Sequence, residues 1–383
     1  MKYISYGAQY IDSQDLLAVK RSLKQDLITT GPKLSKFEKK NNNFLKSRYS
    51  VVCSSGTAAI HLALLSLNLK EGATVIMPSV NFISAFNLCN ELRLKIFLSD
   101  VDKYTGQMTP LLMEECIKKN RLKKVDVLIT MFLGGFSENV VEFNKLKKKY
   151  KYKIIEDACH AYGSSYIIKK KIYNVGECKH SDISTFSFHP LKTITTGEGG
   201  LITTNSKIYY DRLKSFRAHG IKRNSQYHWK YDVIENGLNY RISEMNCALG
   251  LSQLKKIKKF ILKRKKIYNF YVKKLNKDNL PIKFPDYSKN IFSSYHLAIL
   301  HINFDKLKKK KDDFLKFMKK RNIMIQYHYI PIYKFKIAKK IKQKFKNSEI
   351  YYKNSISLPI HYNLSNNDQK KVIKEIKIFL NKK

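Results

Sequence analysis

Between residues 50 and 205, short and nearly uninterrupted apolar runs alternate with segments of helical periodicity. This alternation restricts the fold more than any other feature of the chain. The runs fall at 50–53, 74–77, 95–98, 125–131, 153–156, 183–188 and 200–204, and several are nearly continuous Val, Ile, Leu and Phe. Strands covered on both faces read this way, because neither side of the pleat meets water. Helical patterns such as 58–67 and 140–150 lie between them. The expected architecture is α/β, a mainly parallel seven-stranded sheet flanked by helices, with ligands at the carboxyl ends of the strands. Farther along, Leu249, Leu254, Ile257, Ile261 and Leu262 recur at helical spacing and predict one long helix over 243–275. That helix would lead from a large domain, residues 1–250, into a smaller α+β domain, residues 251–383. In the latter a strand-like run at 295–302, a lysine-rich helix near 305–321 and an extended stretch at 323–329 are expected.

With 383 residues the chain can bury a large core, and no apolar run approaches the roughly eighteen residues of a membrane helix. The start carries no long apolar stretch behind a basic end, so a cytoplasmic enzyme is expected. Charge is the unusual feature: 74 Lys and Arg against 30 Asp and Glu give +44. Such an excess raises nucleic acid or an acidic membrane as a partner. Only ten of the 74 are Arg, however, the residue suited to forked phosphate and base contacts, and the lysines are scattered among Asn, Ile and Tyr over the whole chain. Compositional bias accounts for that pattern, so neither nucleic acid nor membrane insertion is expected. The six cysteines (Cys53, Cys89, Cys116, Cys159, Cys178, Cys247) lie far apart with no C-x-x-C pair, which suits reduced thiols rather than disulfides or a metal site.

Three segments carry chemistry in combination. In Ser187-Phe188-His189-Pro190-Leu191-Lys192-Thr193-Ile194-Thr195-Thr196-Gly197-Glu198-Gly199-Gly200 a strand enters a glycine-rich turn holding one lysine. Lys192 there could form a Schiff base with an aldehyde cofactor and shuttle protons once released; as one lysine of 64 it could equally be an exposed turn residue. In Ile154-Ile155-Glu156-Asp157-Ala158-Cys159-His160-Ala161, Asp157 ends a buried strand. It could hold a pyridinium nitrogen protonated, or simply cap a helix. In Val51-Val52-Cys53-Ser54-Ser55-Gly56-Thr57-Ala58-Ala59-Ile60 a strand, a small-residue turn and a helix start offer a phosphate cradle or an ordinary capped helix. The order of cradle, strand-end Asp and turn Lys points to pyridoxal phosphate more strongly than any one of them.

These segments resemble the DegT/DnrJ-type sugar aminotransferases, which have the fold type I pyridoxal-phosphate architecture. The likeness runs nearly end to end, through Leu27-Ile28-Thr29-Thr30-Gly31-Pro32, Leu238-Asn239-Tyr240-Arg241-Ile242 and His328-Tyr329-Ile330-Pro331. Within the family the wording is most similar to the pseudaminic-acid branch, in Asp157-Ala158-Cys159-His160-Ala161, the Ser187 to Gly200 segment, Ala248-Leu249-Gly250-Leu251-Ser252-Gln253-Leu254 and Ser357-Leu358-Pro359. The resemblance implies that Lys192 is the Schiff-base lysine and Asp157 the partner of the pyridine nitrogen. It implies that Thr57, Ala58 and Ser187 hold the phosphate, that Phe82 stacks on the cofactor, and that His160 approaches its phenolic oxygen or ring face. On spacing alone Phe82 could equally be a core residue. By the same resemblance Asn239 reaches the phosphate from the partner subunit of a homodimer. Tyr6, Asp26, Leu27, Ile28, Thr29, Tyr327, His328, Tyr329 and Ile330 match positions lining the sugar-nucleotide pocket. The implied reaction moves an amino group from glutamate to the 4-keto carbon of a UDP-linked 6-deoxy sugar. Relatives that dehydrate sugars carry His in place of the lysine, so Lys192 disfavours that branch. Two departures, Ser137 where relatives often have Pro and Asn246-Cys247 for a more usual Gln-Ala, bear on substrate detail rather than on the reaction.

Overall fold

The computed structural model describes residues 3–223, 226–227, 229–276 and 280–381. Nine strands precede residue 205: β1 (Tyr49–Cys53), β2 (Thr74–Pro78), β3 (Lys95–Ser99), β4 (Val127–Met131), β5 (Lys153–Asp157), β6 (Ser165–Ile168), β7 (Lys171–Asn174), β8 (Ile183–Ser187) and β9 (Gly200–Thr204). Seven form one sheet in the order β1-β9-β8-β5-β4-β2-β3, matching the seven apolar runs. β9 runs antiparallel to both neighbours and the other pairings are parallel. All five residues of β4, β8 and β9 are buried, as in strands covered on both faces. The hairpin of β6 and β7, with more polar faces, escapes an argument based on apolar runs.

Register decides what meets at the carboxyl edge. Met131 lies opposite Asp157, Asp157 opposite Thr185, Ser187 opposite Gly200, and Gly200 opposite Cys53. Gly200 is required there: a Cβ would come 2.1 Å from the Ser55 carbonyl oxygen.

Two later strands, β10 (Ile221–Arg223) and β11 (Tyr231–Val233), form an exposed hairpin. β12 (Ile282–Lys283), β14 (Ala298–Ile302) and β15 (Ser355–Leu358) make a small antiparallel sheet, while β13 (Ile291–Phe292) joins β6. The expected helix over 243–275 is broken in two, Glu244–Leu254 and Ile257–Leu275. The break falls where Lys256 is drawn to two carboxylates of the N-terminal helix, Asp12 at 2.8 Å and the fully buried Asp15 at 2.5 Å. Beyond it the second helix packs Ile257 and Phe260 against Phe188 and Ile194, and Ile267, Tyr271 and Leu275 against Leu300 and Ile356. The expected 305–321 helix begins only at Lys311. The 323–329 stretch forms no regular strand and joins the rest through isolated bridges, Ile4 to Ile323 and Gln326 to Ser357.

Glu244 fastens the start of the Pro32–Leu45 helix from more than two hundred residues away. Its carboxylate accepts from the amides of Gly31 (3.1 Å), Lys33 (2.6 Å) and Leu34 (2.9 Å), three donors that no turn of their own helix can satisfy. All six cysteines are unpaired, and five are buried. No helix among the described residues is long and apolar enough to cross a membrane.

Candidate active site

The carboxyl edge of the sheet opens into a cleft of about 550 Å³, and the three sequence segments meet there. Thr57, Phe82, Asp157, His160, Ser187 and Lys192 all line it, together with Tyr6, His328 and Tyr329.

Ser55 caps the Gly56–Ser66 helix by accepting from the Ala58 amide at 3.0 Å. Ala58 is thereby satisfied and buried, leaving the amides of Gly56 and Thr57 without intrahelical partners at the positive end of the dipole. Gly56 closes on the sheet, since a Cβ there would meet Ser187 Cβ at 2.7 Å. These free amides with the exposed Thr57 side chain and the Ser187 hydroxyl suit a phosphate.

Asp157 is 2% exposed, and Cys159 N–H donates to its Oδ1 at 3.2 Å. The residues after it form turns rather than a helix, so the helix-cap alternative does not apply. Burial raises its carboxyl above the ordinary range, against hydrogen bonding from Cys159 and the nearby Lys192 charge. A cationic ring nitrogen is the partner such a carboxylate lacks. Lys192 sits on a turn tied down by its own backbone: Lys192 N–H donates to His189 O at 2.9 Å, and Thr195 Oγ1 to Phe188 O at 2.9 Å. Burial pulls its ammonium below the usual lysine range, while Cys159 and Asp157 oppose that shift. Phe82 is 51% exposed, so it is no core residue; its ring lies 5.7 Å from that of Tyr329.

His160 is buried between both halves of the chain. Gly134 N–H donates to its Nδ1 at 3.4 Å, and its Nε2 lies 2.9 Å from the Tyr329 hydroxyl. Burial, then Lys192, His296 and His328, hold its pKa well below normal. His328 is pushed down to about 3 by burial and the Lys192 charge, and pairs through Nδ1 with Ser357 Oγ at 2.9 Å.

Other expected residues do not reach this cleft within one chain. The Tyr327 ring turns into a separate surface groove, 5.6 Å from Tyr352 and under Lys311 Nζ at 4.3 Å. Ile330 and Asp26 do not line the cleft; Leu27 and Ile28 are 56% and 47% exposed, and Thr29 bridges to Ser243. Asn239 is exposed and bridges to Ala218. Sequence reasoning missed His296, a lining residue whose ring stands 4.2 Å from that of His160. It also missed Arg264, buried and donating through one guanidinium nitrogen to the carbonyls of His296 (3.2 Å) and Ile360 (2.9 Å). An inward-facing Arg on an otherwise amphipathic lysine-rich helix was the available signal; His296 offered none.

Comparison with known proteins establishes the family. The chain is 34% identical over 371 residues to a UDP-4-amino-4,6-dideoxy-N-acetyl-beta-L-altrosamine transaminase of Campylobacter jejuni, covering 96% of this chain and 95% of that protein. It is 32% identical to a GDP-perosamine synthase of Escherichia coli O157:H7, covering 96% and 95%. Among solved structures it resembles Helicobacter pylori PseC, an aminotransferase involved in the biosynthesis of pseudoaminic acid, with a TM-score of 0.89, 26% identity and 99% of each chain covered. The fold is that of the aminotransferases. The model of the DegT/DnrJ/EryC1/StrS aminotransferase family matches residues 9–377, and the chain belongs to that family.

Proposed function

We propose that this aminotransferase uses pyridoxal 5'-phosphate to move an amino group from glutamate to the 4-keto carbon of a UDP-linked 4-keto-6-deoxy-N-acetylhexosamine. The observation that carries the reading is the meeting of a turn lysine, a buried strand-end aspartate and a helix N-terminus in one cleft. When bound, the cofactor supplies an electron sink for the pair released as a carbon–hydrogen bond breaks. The amides of Gly56 and Thr57, with the Thr57 and Ser187 hydroxyls, would hold its phosphate, and Asp157 would keep its ring nitrogen protonated. Phe82 would cover one ring face. Lys192 Nζ takes the proton from the α-carbon of glutamate and later returns one to C4 of the sugar. Its depressed pKa suits both tasks, because more free amine is there to take the proton and the ammonium it becomes is a stronger acid for returning one.

The UDP-linked sugar of L-configuration is supported by the likeness to the Campylobacter transaminase. Assay of UDP-, GDP- and dTDP-linked keto sugars with glutamate tests it. Far better turnover of a GDP- or dTDP-sugar would overturn the sugar assignment and leave the family untouched. The same reading places the enzyme in the cytoplasm and divides the chain into residues 1–250 and 251–383. It also makes the enzyme a homodimer in which Asn239 of each subunit completes the site of the other. Exposure of Asn239, Leu27 and Ile28 in the single chain supports that arrangement. Refolding Lys192→Ala with Asn239→Asp subunits should then restore activity, since one site of each mixed dimer has neither defect. No recovery from two nearly inactive parents would count against sharing.

A further inference from the structure

The bond between His160 and Tyr329 has a definite direction. Gly134 N–H can only donate, so the His160 Nδ1 it faces at 3.4 Å must present a lone pair. The opposite tautomer would set two hydrogens against each other with no acceptor between them. Buried beside Lys192, His296 and His328, the ring stays neutral, and its one hydrogen therefore resides on Nε2. Nε2–H then donates to Tyr329 Oη at 2.9 Å, and the tyrosine must accept there. Its own hydroxyl hydrogen is left without a partner among the described residues, on a side chain that lines the cleft.

We propose that Tyr329 is a one-way hydrogen-bond donor to an oxygen of the bound ligand, with His160 as the positioning residue that fixes its direction. The acceptor is an oxygen with lone pairs and no hydrogen of its own to give: a ketone carbonyl or a phenolate. Both chemistries belong to the transamination proposed above, on which this inference rests. His160 thereby acts on that oxygen through the tyrosine rather than by touching it. The chain from the Gly134 amide through imidazole to phenol polarises each link, so the last donor is stronger than an isolated tyrosine.

The first test needs no turnover. Long-range nitrogen–proton NMR of protein labelled at histidine, with His160 assigned by its loss in His160→Gln, should show a neutral ring protonated at Nε2 near pH 7. A cationic His160, or one protonated at Nδ1, would overturn the proposal. Tyr329→Phe should keep that tautomer while lowering kcat/KM about tenfold or more. If the acceptor is the cofactor phenolate, the pH at which bound-cofactor absorbance changes should also move. If it is the sugar ketone, KM for the keto sugar should rise with the absorbance unchanged. His160→Gln, whose amide can still donate to Tyr329, should retain most activity. His160→Leu should resemble Tyr329→Phe and add less than about twofold on top of it, because coupled residues are not additive. A Tyr329→Phe enzyme matching its parent in absorbance response, KM and kcat sinks the inference alone. A parent that acquires no cofactor absorbance sinks both this and the transaminase reading.

Discussion

The residues that line the cleft are held in two different ways. Asp157, Ser187 and the segment around Gly56 stand at the ends of neighbouring strands, and sheet register alone brings them together. Tyr6, His296, His328, Tyr329 and Ile360 come from segments as far apart as the chain allows, and individual hydrogen bonds join them. Ile360 N–H donates to Tyr6 O, Tyr351 Oη to His328 O at 2.7 Å, and Arg264 to both His296 O and Ile360 O. The first group carries the groups suited to proton transfer and to cofactor charge, and the second the groups suited to recognising a substrate. Under the proposed function, chemistry would rest on sheet register, and recognition on single hydrogen bonds that a few substitutions could retune.

Four substitutions probe that division. Lys192→Ala should lower turnover by at least about a thousandfold, measured with saturating glutamate and keto sugar, because it removes the amine proposed to move the proton. Cofactor should remain bound through phosphate and ring contacts, and near-normal turnover would place the chemistry elsewhere. Asp157→Asn should retain cofactor and lose about a hundredfold in kcat, the effect of one strong electrostatic partner. A value within twofold of the parent would reduce Asp157 to a turn former.

On the other side the effects should be smaller and of another kind. Tyr351→Phe removes one buried hydrogen bond, about 1 kcal/mol, and loosens the carbonyl of His328. KM for the sugar nucleotide should rise roughly fivefold while cofactor affinity, read by absorbance titration, stays unchanged. If cofactor affinity falls instead, the two groups are not separable. Smallest of all, Tyr327→Ala should alter kcat/KM by less than about twofold, because its ring packs with Tyr352 and Lys311 outside the cleft. A larger loss would mean that the neighbouring groove, or a partner subunit's cleft, uses that ring.

The same division explains what could be read in the sequence. All seven strands of the main sheet are legible because short apolar runs alternate with helical segments, and the site residues at their ends follow from strand position. Lys192 and Asp157 each had an ordinary alternative; both reach one edge of the sheet, and no helix follows Asp157 for it to cap. The break at Lys256 was hidden in the sequence, and the carboxylate pair that Lys256 meets there lies some 240 residues earlier. His296 was invisible for a similar reason: nothing near it in sequence marks a cleft residue, and only the packing of the Ile257–Leu275 helix brings its carbonyl to Arg264. Tyr327 and Tyr329 are two residues apart and were assigned together by resemblance. The chain turns one ring into the cleft and the other away from it.

The pairing of Ile4 with Ile323, which delivers Tyr6 to the cleft, also sets a timetable for synthesis. Residues made first wait for residues made more than three hundred positions later. On a ribosome the large sheet can form while the rest is still being translated, since all of its strands lie before residue 205. The facing side of the cleft cannot close until Ile360 has emerged. A nascent chain could therefore pass through a stage in which Lys192 is in place and the residues on the facing side of the cleft are not.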